Sequence, residues 1–226
     1  MTAKIIEDTT YRERTFVFTD RQHAGKLLAE KLGENIDKRK VILLALPAGG
    51  VPVGHEVAKE LDIPMDVLIV RKIQIPWNTE AGFGALTSDG EIVLNEPLVA
   101  QLGLTQEDIE ESILKTRKTI QERLRKFRGN KPMPNLTGKI IILVDDGLAS
   151  GFTMIAAARS ARKRAPEKII TAVPTGSIGA IKLLSSEVDE IVCLNIRTGP
   201  AFAVADAYKN WYDLTDEEVI KILESA

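Results

Sequence analysis

Apolar residues are arranged in two alternating patterns along the chain. The runs Val41–Leu46, Val67–Val70, Ile140–Val144, Ile169–Val173 and Glu190–Leu194 have strand length and are rich in β-branched residues, as strands buried on both faces are. Segments with helical spacing separate them. Asp20 can cap a helix reaching about Lys31, with Ala24, Leu27, Leu28 and Leu32 on one face and Gly33 suited to its end. Pro52 suits the first turn of a helix over Val53–Leu61, Thr153–Arg164 reads as another, and one more ends near Leu184. Strands alternating with helices predict an α/β fold, a doubly wound, mainly parallel sheet.

Three further stretches extend this pattern. Arg14–Phe18 reads as a short edge strand, and Ser88-Asp89-Gly90 as a hairpin turn between Phe83–Thr87 and Glu91–Leu94. Residues 96–137 form a helical insert that opens on a capping box, Thr105 to Asp108, and carries Ile109, Ile113, Ile120, Leu124 and Phe127 on one face. Gly129–Gly138 links it back to the core. Thr215 with Glu218 caps a last helix, Asp216–Leu223. The expected organisation is a single domain, 1–226, with the insert inside it and a C-terminal hood and helix over 195–226.

Composition narrows the function. The chain has 226 residues, 44% of them hydrophobic, and a net charge of −2, so no broad electrostatic pull toward nucleic acid or membrane is expected. The basic end of the insert, Arg123 to Arg128, has no interleaved aromatic stripe and reads as a solvated face. One cysteine, Cys193, lies in an apolar run; it excludes an intrachain disulfide and reads as a core residue. No apolar stretch reaches the roughly eighteen residues of a membrane span, and MTAKIIEDTT has no signal-peptide core. A soluble cytoplasmic protein is the expectation.

The candidate chemistry centres on Ile140–Met154, IIILVDDGLASGFTM. Asp145 and Asp146 stand at the carboxyl end of a buried strand, where open α/β sheets bind ligands. The loop Gly147-Leu148-Ala149-Ser150-Gly151 then opens a helix, offering free N–H groups and a positive dipole end to an anion. The carboxylates one step earlier would repel that anion. The ligand should therefore carry a phosphate at one end and hydroxyls or a magnesium ion at the other, as a ribose 5-phosphate does.

This stretch resembles the signature of the type I phosphoribosyltransferases, with Ser150 where Thr is commoner. The resemblance implies that Asp145 and Asp146 hold the ribose hydroxyls and magnesium. It likewise implies that Gly147, Leu148, Ala149, Ser150, Gly151, Phe152 and Thr153 form the 5′-phosphate loop. Pro47-Ala48-Gly49-Gly50 is similar to the family's pyrophosphate loop, although Ala48 stands where close relatives often carry Arg. Arg71-Lys72 resembles the basic pair that adenine and orotate members place near pyrophosphate. The family's mobile loop usually brings a further cation, yet no Lys or Arg occurs between Lys72 and Lys115. Glu80 is the ionisable residue near the middle of that loop: a proton-transfer group, a magnesium contact or a surface carboxylate. Phe202, Tyr208, Trp211 and Tyr212 are aromatic candidates for the hood or the core.

The implied activity is transfer of a phosphoribosyl group from phosphoribosyl pyrophosphate, with magnesium, to a nitrogenous base, in a homodimer. The alternative is a non-catalytic sensor of phosphoribosyl pyrophosphate or nucleotide on the same fold. No Gly-x-Gly-x-x-Gly opens a helix after an early strand, and no Gly-x4-Gly-Lys-Ser/Thr is present, which disfavours dinucleotide oxidoreductases and P-loop hydrolases.

Overall fold

The structure, a computed structural model, describes residues 2–33, 37–129 and 131–225. Its core is a parallel six-stranded sheet in the order β1-β9-β8-β7-β2-β3. The strands are β1 (Lys4–Glu7), β2 (Val41–Ala45), β3 (Met65–Val67), β7 (Ile140–Val144), β8 (Lys168–Ser177) and β9 (Glu190–Arg197). A three-stranded antiparallel sheet, β4 (Val70–Ile75), β5 (Asn78–Thr87) and β6 (Ile92–Leu94), stands beside it.

Side chains alternate across a strand, and the continuous apolar runs feed two cores. Leu43, Ala45, Ile142, Val144, Ile170 and Val192 pack with α1 (Arg21–Gly33) and α2 (Gly50–Leu61). Leu44, Ile141, Leu143, Ile169, Ile191 and Cys193 pack with α5 (Phe152–Arg162) and α6 (Ile178–Leu184). Cys193 is thus a core residue, as expected. The small sheet is also covered on both sides: Val70, Ala85 and Val93 face the α5 core. Ile73, Phe83 and Leu86 pack in the other core with Ile109 and Ile120 of α4 (Gln106–Arg128). The short α3 (Glu96–Leu102) precedes α4, which opens on the expected capping box. Asn130, within the expected linker, lies outside the described residues. A capping box also opens α7 (Asp216–Glu224).

Several elements differ from the sequence reading. Residues 14–18 are not an edge strand. Glu13 and Phe16 have positive φ, 61° and 54°, which breaks an extended run. The N–H groups of Phe16 and Phe18 instead donate to the carbonyls of Asp206 and Ala207, and the sheet edge is β1. The run Val67–Val70 is not one strand. β3 ends at Val67, Leu68 and Ile69 cross between the sheets fully buried, and Arg71-Lys72 lies inside β4 rather than at a core-strand end. A crossing buried on all sides has the composition of a strand, so periodicity does not separate the two. β8 runs on through Pro174 to Ser177 by continued pairing with β9 after its register with β7 ends at Ala172; a residue without an N–H is tolerated where one neighbour has stopped. β9 extends with it, and α2 begins at Gly50, not Val53.

The topology fixes where a ligand can sit. From β2 the chain moves outward to β3, then returns to β7 on the other side of β2 and continues outward to β8 and β9. The strand order therefore reverses between β2 and β7, and the crevice outside their carboxyl ends is the binding position of such sheets. The loops after β2 and β7 flank it.

Candidate active site

The acidic pair lies at that crevice. Asp145 and Asp146 follow directly on β7, both partly buried. The Asp146 N–H donates to Asp145 Oδ1 at 2.9 Å. Asp146 Oδ2 accepts from Nε of Arg21 at 2.9 Å, and the Asp146 carbonyl accepts from the Tyr208 hydroxyl at 2.6 Å. Arg21 also donates Nη1 to the Tyr212 carbonyl at 2.9 Å and lies 3.9 Å from the Trp211 ring centroid. Burial, and next the charge of Asp146, push the Asp145 carboxyl well above the usual carboxylate range. Burial also raises Asp146, with Arg21 opposing. Burial, then the Asp146 charge, raise the Tyr208 hydroxyl.

A carboxylate raised on folding makes the native state bind the proton more tightly than the unfolded chain does. Its contribution to stability therefore falls as pH rises from about 4 toward the raised value, and stays lower above it. Asp145→Asn, which keeps the oxygen that accepts from Asp146, is expected to raise the neutral-pH Tm of the ligand-free protein by about 2–4 °C, the effect of about 1 kcal/mol in a chain of this size. Scanning melts of both proteins from about pH 4 to 8 check this. The difference between the two curves should widen with pH; a flat difference would contradict the burial argument.

The loop after the pair is held from outside. The Leu148 N–H donates to the Thr175 carbonyl and the Ser177 N–H to the Leu148 carbonyl, each at 2.9 Å. The Ser177 hydroxyl donates to the Ala149 carbonyl at 2.8 Å. Gly151, at φ +84°, turns the chain into α5. Among the described residues, the backbone N–H groups of Ala149 through Met154 have no protein acceptor. Consecutive free donors at a helix start form an anion cradle. Phe152 supplies its N–H there, while its side chain packs on the α5 core.

Across the crevice, Pro47–Gly50 turns from β2 into α2, with a cis Pro47–Ala48 peptide. The N–H groups of Ala48 and Gly49 likewise have no acceptor among the described residues. Glycine is required here by close approach. A Cβ on Gly49 would lie 1.9 Å from Asp146 Oδ2, and one on Gly50 2.5 Å from the Val144 carbonyl oxygen. The two loops thus meet at the acidic pair.

The other candidates lie on the hairpin. Arg71 is half-buried, its guanidinium pKa lowered by burial and then by nearby Arg123, with Asp216 opposing. Lys72 donates to the Glu80 carbonyl, and the Glu80 N–H donates to Asn78 Oδ1. Arg71, Lys72, Gln74, Thr79, Ser112 and Lys115 line a cleft of about 150 Å³ between hairpin and α4. Among the described residues, no hydrogen bond or ion pair joins Arg71, Lys72 or Glu80 to the acidic pair or its loop.

Arg21 was not a candidate from sequence. Its signal was its position, because Arg21, Ala24, Gly25, Leu28 and Leu32 form the buried stripe of α1. A cation on an apolar stripe requires a buried partner. Of the hood aromatics, Tyr208 is buried against the acidic pair and Trp211 stacks on Arg21, whereas Tyr212 is exposed.

A doubly wound sheet with an acidic pair and a run of free N–H groups at its switch point defines the class of α/β protein that opens a ligand crevice at the carboxyl ends of its strands. The family model of the phosphoribosyl transferase domain matches residues 19–204, and the chain belongs to that family. A Mycobacterium tuberculosis protein, provisionally named a phosphoribosyl transferase, is 39% identical over 212 residues, 93% of this chain and 47% of that protein. The chain therefore spans about half the length of that relative. The crystal structure of TT1426 from Thermus thermophilus is 35% identical with a TM-score of 0.74, covering 92% of this chain and 98% of that one. AQ2163 from Aquifex aeolicus, at 12% identity and a TM-score of 0.53, covers 83% of this chain and 78% of its own, and shares the fold. Among the described residues, no helix is long and apolar enough to cross a membrane.

Proposed function

We propose that the protein transfers the 5-phosphoribosyl group of phosphoribosyl pyrophosphate to a nitrogenous base. The observation that carries this reading is the pairing, at one switch point, of two carboxylates with a run of free N–H groups. A base nitrogen forms a bond to the anomeric carbon, the bond from that carbon to pyrophosphate breaks, and the base gives up a proton. Catalysis on this fold consists of holding the sugar and stabilising the departing charge. Asp145 and Asp146 take the ribose hydroxyls, the Ala149–Thr153 loop takes the 5′-phosphate, and the N–H groups of Ala48 and Gly49 face pyrophosphate.

Magnesium fits this donor set. Among the described residues, no group of three or more His, Cys, Asp or Glu side chains could cage a metal. Magnesium, however, is usually held by one or two carboxylates together with substrate oxygens, and Asp145 and Asp146 supply those carboxylates. Bound there, it would neutralise charge on the diphosphate. The reading takes the whole chain as one phosphoribosyltransferase-like domain, with 96–137 as its insert and 195–226 as its hood, working as a cytoplasmic homodimer.

Arg71 and Lys72 serve pyrophosphate in this reading, reaching it by movement of the hairpin. Alanine at either position should weaken phosphoribosyl pyrophosphate binding about tenfold or more, the value of one charge-assisted contact, and leave ribose 5-phosphate affinity nearly unchanged. Equal losses for both ligands would remove the basic pair from the pyrophosphate side.

The acceptor is addressed by position 149. Ala149 has no proton to exchange with a purine ring, so 6-oxopurines are expected to be poor acceptors, with Glu80 the candidate for any proton transfer. Steady-state pyrophosphate release with adenine, hypoxanthine, guanine, orotate and uracil tests both the activity and this preference. Efficient turnover of hypoxanthine or guanine would defeat the preference. No release with any base would favour a sensor of the same ligand, a reading supported by the absence of Lys and Arg from 73 to 114.

A further inference from the structure

The side chain of Arg21 is 8% exposed, and its contacts run to the two parts of the chain that bracket the acidic pair. Nε holds Asp146 Oδ2, Nη1 holds the Tyr212 carbonyl, and the guanidinium lies over Trp211. The Trp211 ring is 5.2 Å from Tyr208, whose hydroxyl returns to the Asp146 carbonyl. These contacts close a circuit through the side chain of Asp146, Arg21, Trp211, Tyr208 and the backbone of Asp146. The rest of the buried α1 stripe is apolar or glycine, so packing alone does not call for a guanidinium here.

Asp146 cannot answer to its ligand and to Arg21 independently. A ribose hydroxyl arriving at the carboxylate competes with Nε for lone pairs, and a divalent cation arriving there repels the guanidinium. Either event changes the hold of Arg21, and a planar guanidinium fixed at three points transmits that change to the ring it stacks on. We propose that Arg21 is a positioning residue that couples occupancy of the ribose site at Asp146 to the C-terminal segment Tyr208–Leu214 through Trp211. This inference rests on the phosphoribosyl reading of the site.

The chain has two tryptophans, and Trp77 is exposed at the tip of the β4–β5 hairpin. Trp77→Phe leaves Trp211 as the sole indole emitter. Ribose 5-phosphate and magnesium do not fluoresce, so a change in emission on titration reports the surroundings of Trp211. The expected result is a saturable change in emission whose midpoint matches the Kd found by calorimetry on the same protein. Arg21→Lys in that background keeps the charge but not the fork. Its weaker hold on Asp146 and Trp211 should leave ligand binding at least as tight, because the competitor for the carboxylate is weakened, and should give a smaller emission change. Binding by calorimetry with silent Trp211, or an undiminished change in Arg21→Lys, would overturn the coupling alone. No heat of binding for ribose 5-phosphate or for magnesium phosphoribosyl pyrophosphate would overturn the ribose-site reading and the coupling with it.

Discussion

Asp145→Asn and Asp146→Asn are each expected to lower affinity for magnesium phosphoribosyl pyrophosphate by about ten- to a hundredfold. Each removes a charge-assisted contact worth about 1.5–3 kcal/mol while preserving shape. The two variants should part company in stability. Asp145 has no cation bound to it among the described residues, and its burial beside Asp146 opposes the charged form, so its neutralisation relieves a cost. Asp146 is the partner of Arg21, so its neutralisation weakens a buried ion pair. A gain in Tm for one and a loss for the other, with reduced affinity in both, would identify the pair as a site that trades stability for binding. Calorimetric titration of both variants decides the first half; unchanged affinity in both would remove the pair from the site.

Arg21→Ala should have the largest effect on stability. The pair it forms with Asp146 is well buried, with side-chain exposures of 8% and 14%, and breaking such a pair leaves an uncompensated charge at a cost of about 3–5 kcal/mol. The stacking on Trp211 and the hydrogen bond to Tyr212 are lost with it. In a chain of this size the loss corresponds to a fall in Tm of about 6–20 °C. Urea unfolding with a common m-value measures it. A loss below about 1 kcal/mol would place the pair among solvent-screened surface contacts.

The central sheet was legible because strands buried on both faces write continuous β-branched runs, and both capping boxes were legible because they are local. The placement of Asp145 and Asp146 and of the small-residue loop after them was legible for the same reason, since both lie within one strand–loop–helix unit. The run Val67–Val70 was not, since a buried crossing between sheets has the composition of a strand. β1 was not, because its short sequence KIIE leaves Ile5 exposed and gives little apolar signal. Arg21 stands 125 residues from Asp146, and no local pattern reports a partner at that separation; its place on the apolar stripe of α1 was the available clue. The cleft around Arg71 and Lys72 was hidden likewise, because it needs the packing of α4 on the hairpin.

Phosphorus NMR of the protein incubated with phosphoribosyl pyrophosphate, magnesium and one base at a time tests the central claim most directly, because it follows every phosphorus atom at once. The account predicts that, with at least one base, the diphosphate resonances of the substrate give way to free pyrophosphate and one equivalent of a nucleotide monoester, and that Asp145→Asn slows both together. Substrate resonances that broaden on binding yet persist with every base would contradict phosphoribosyl transfer and leave a protein that only senses its ligand.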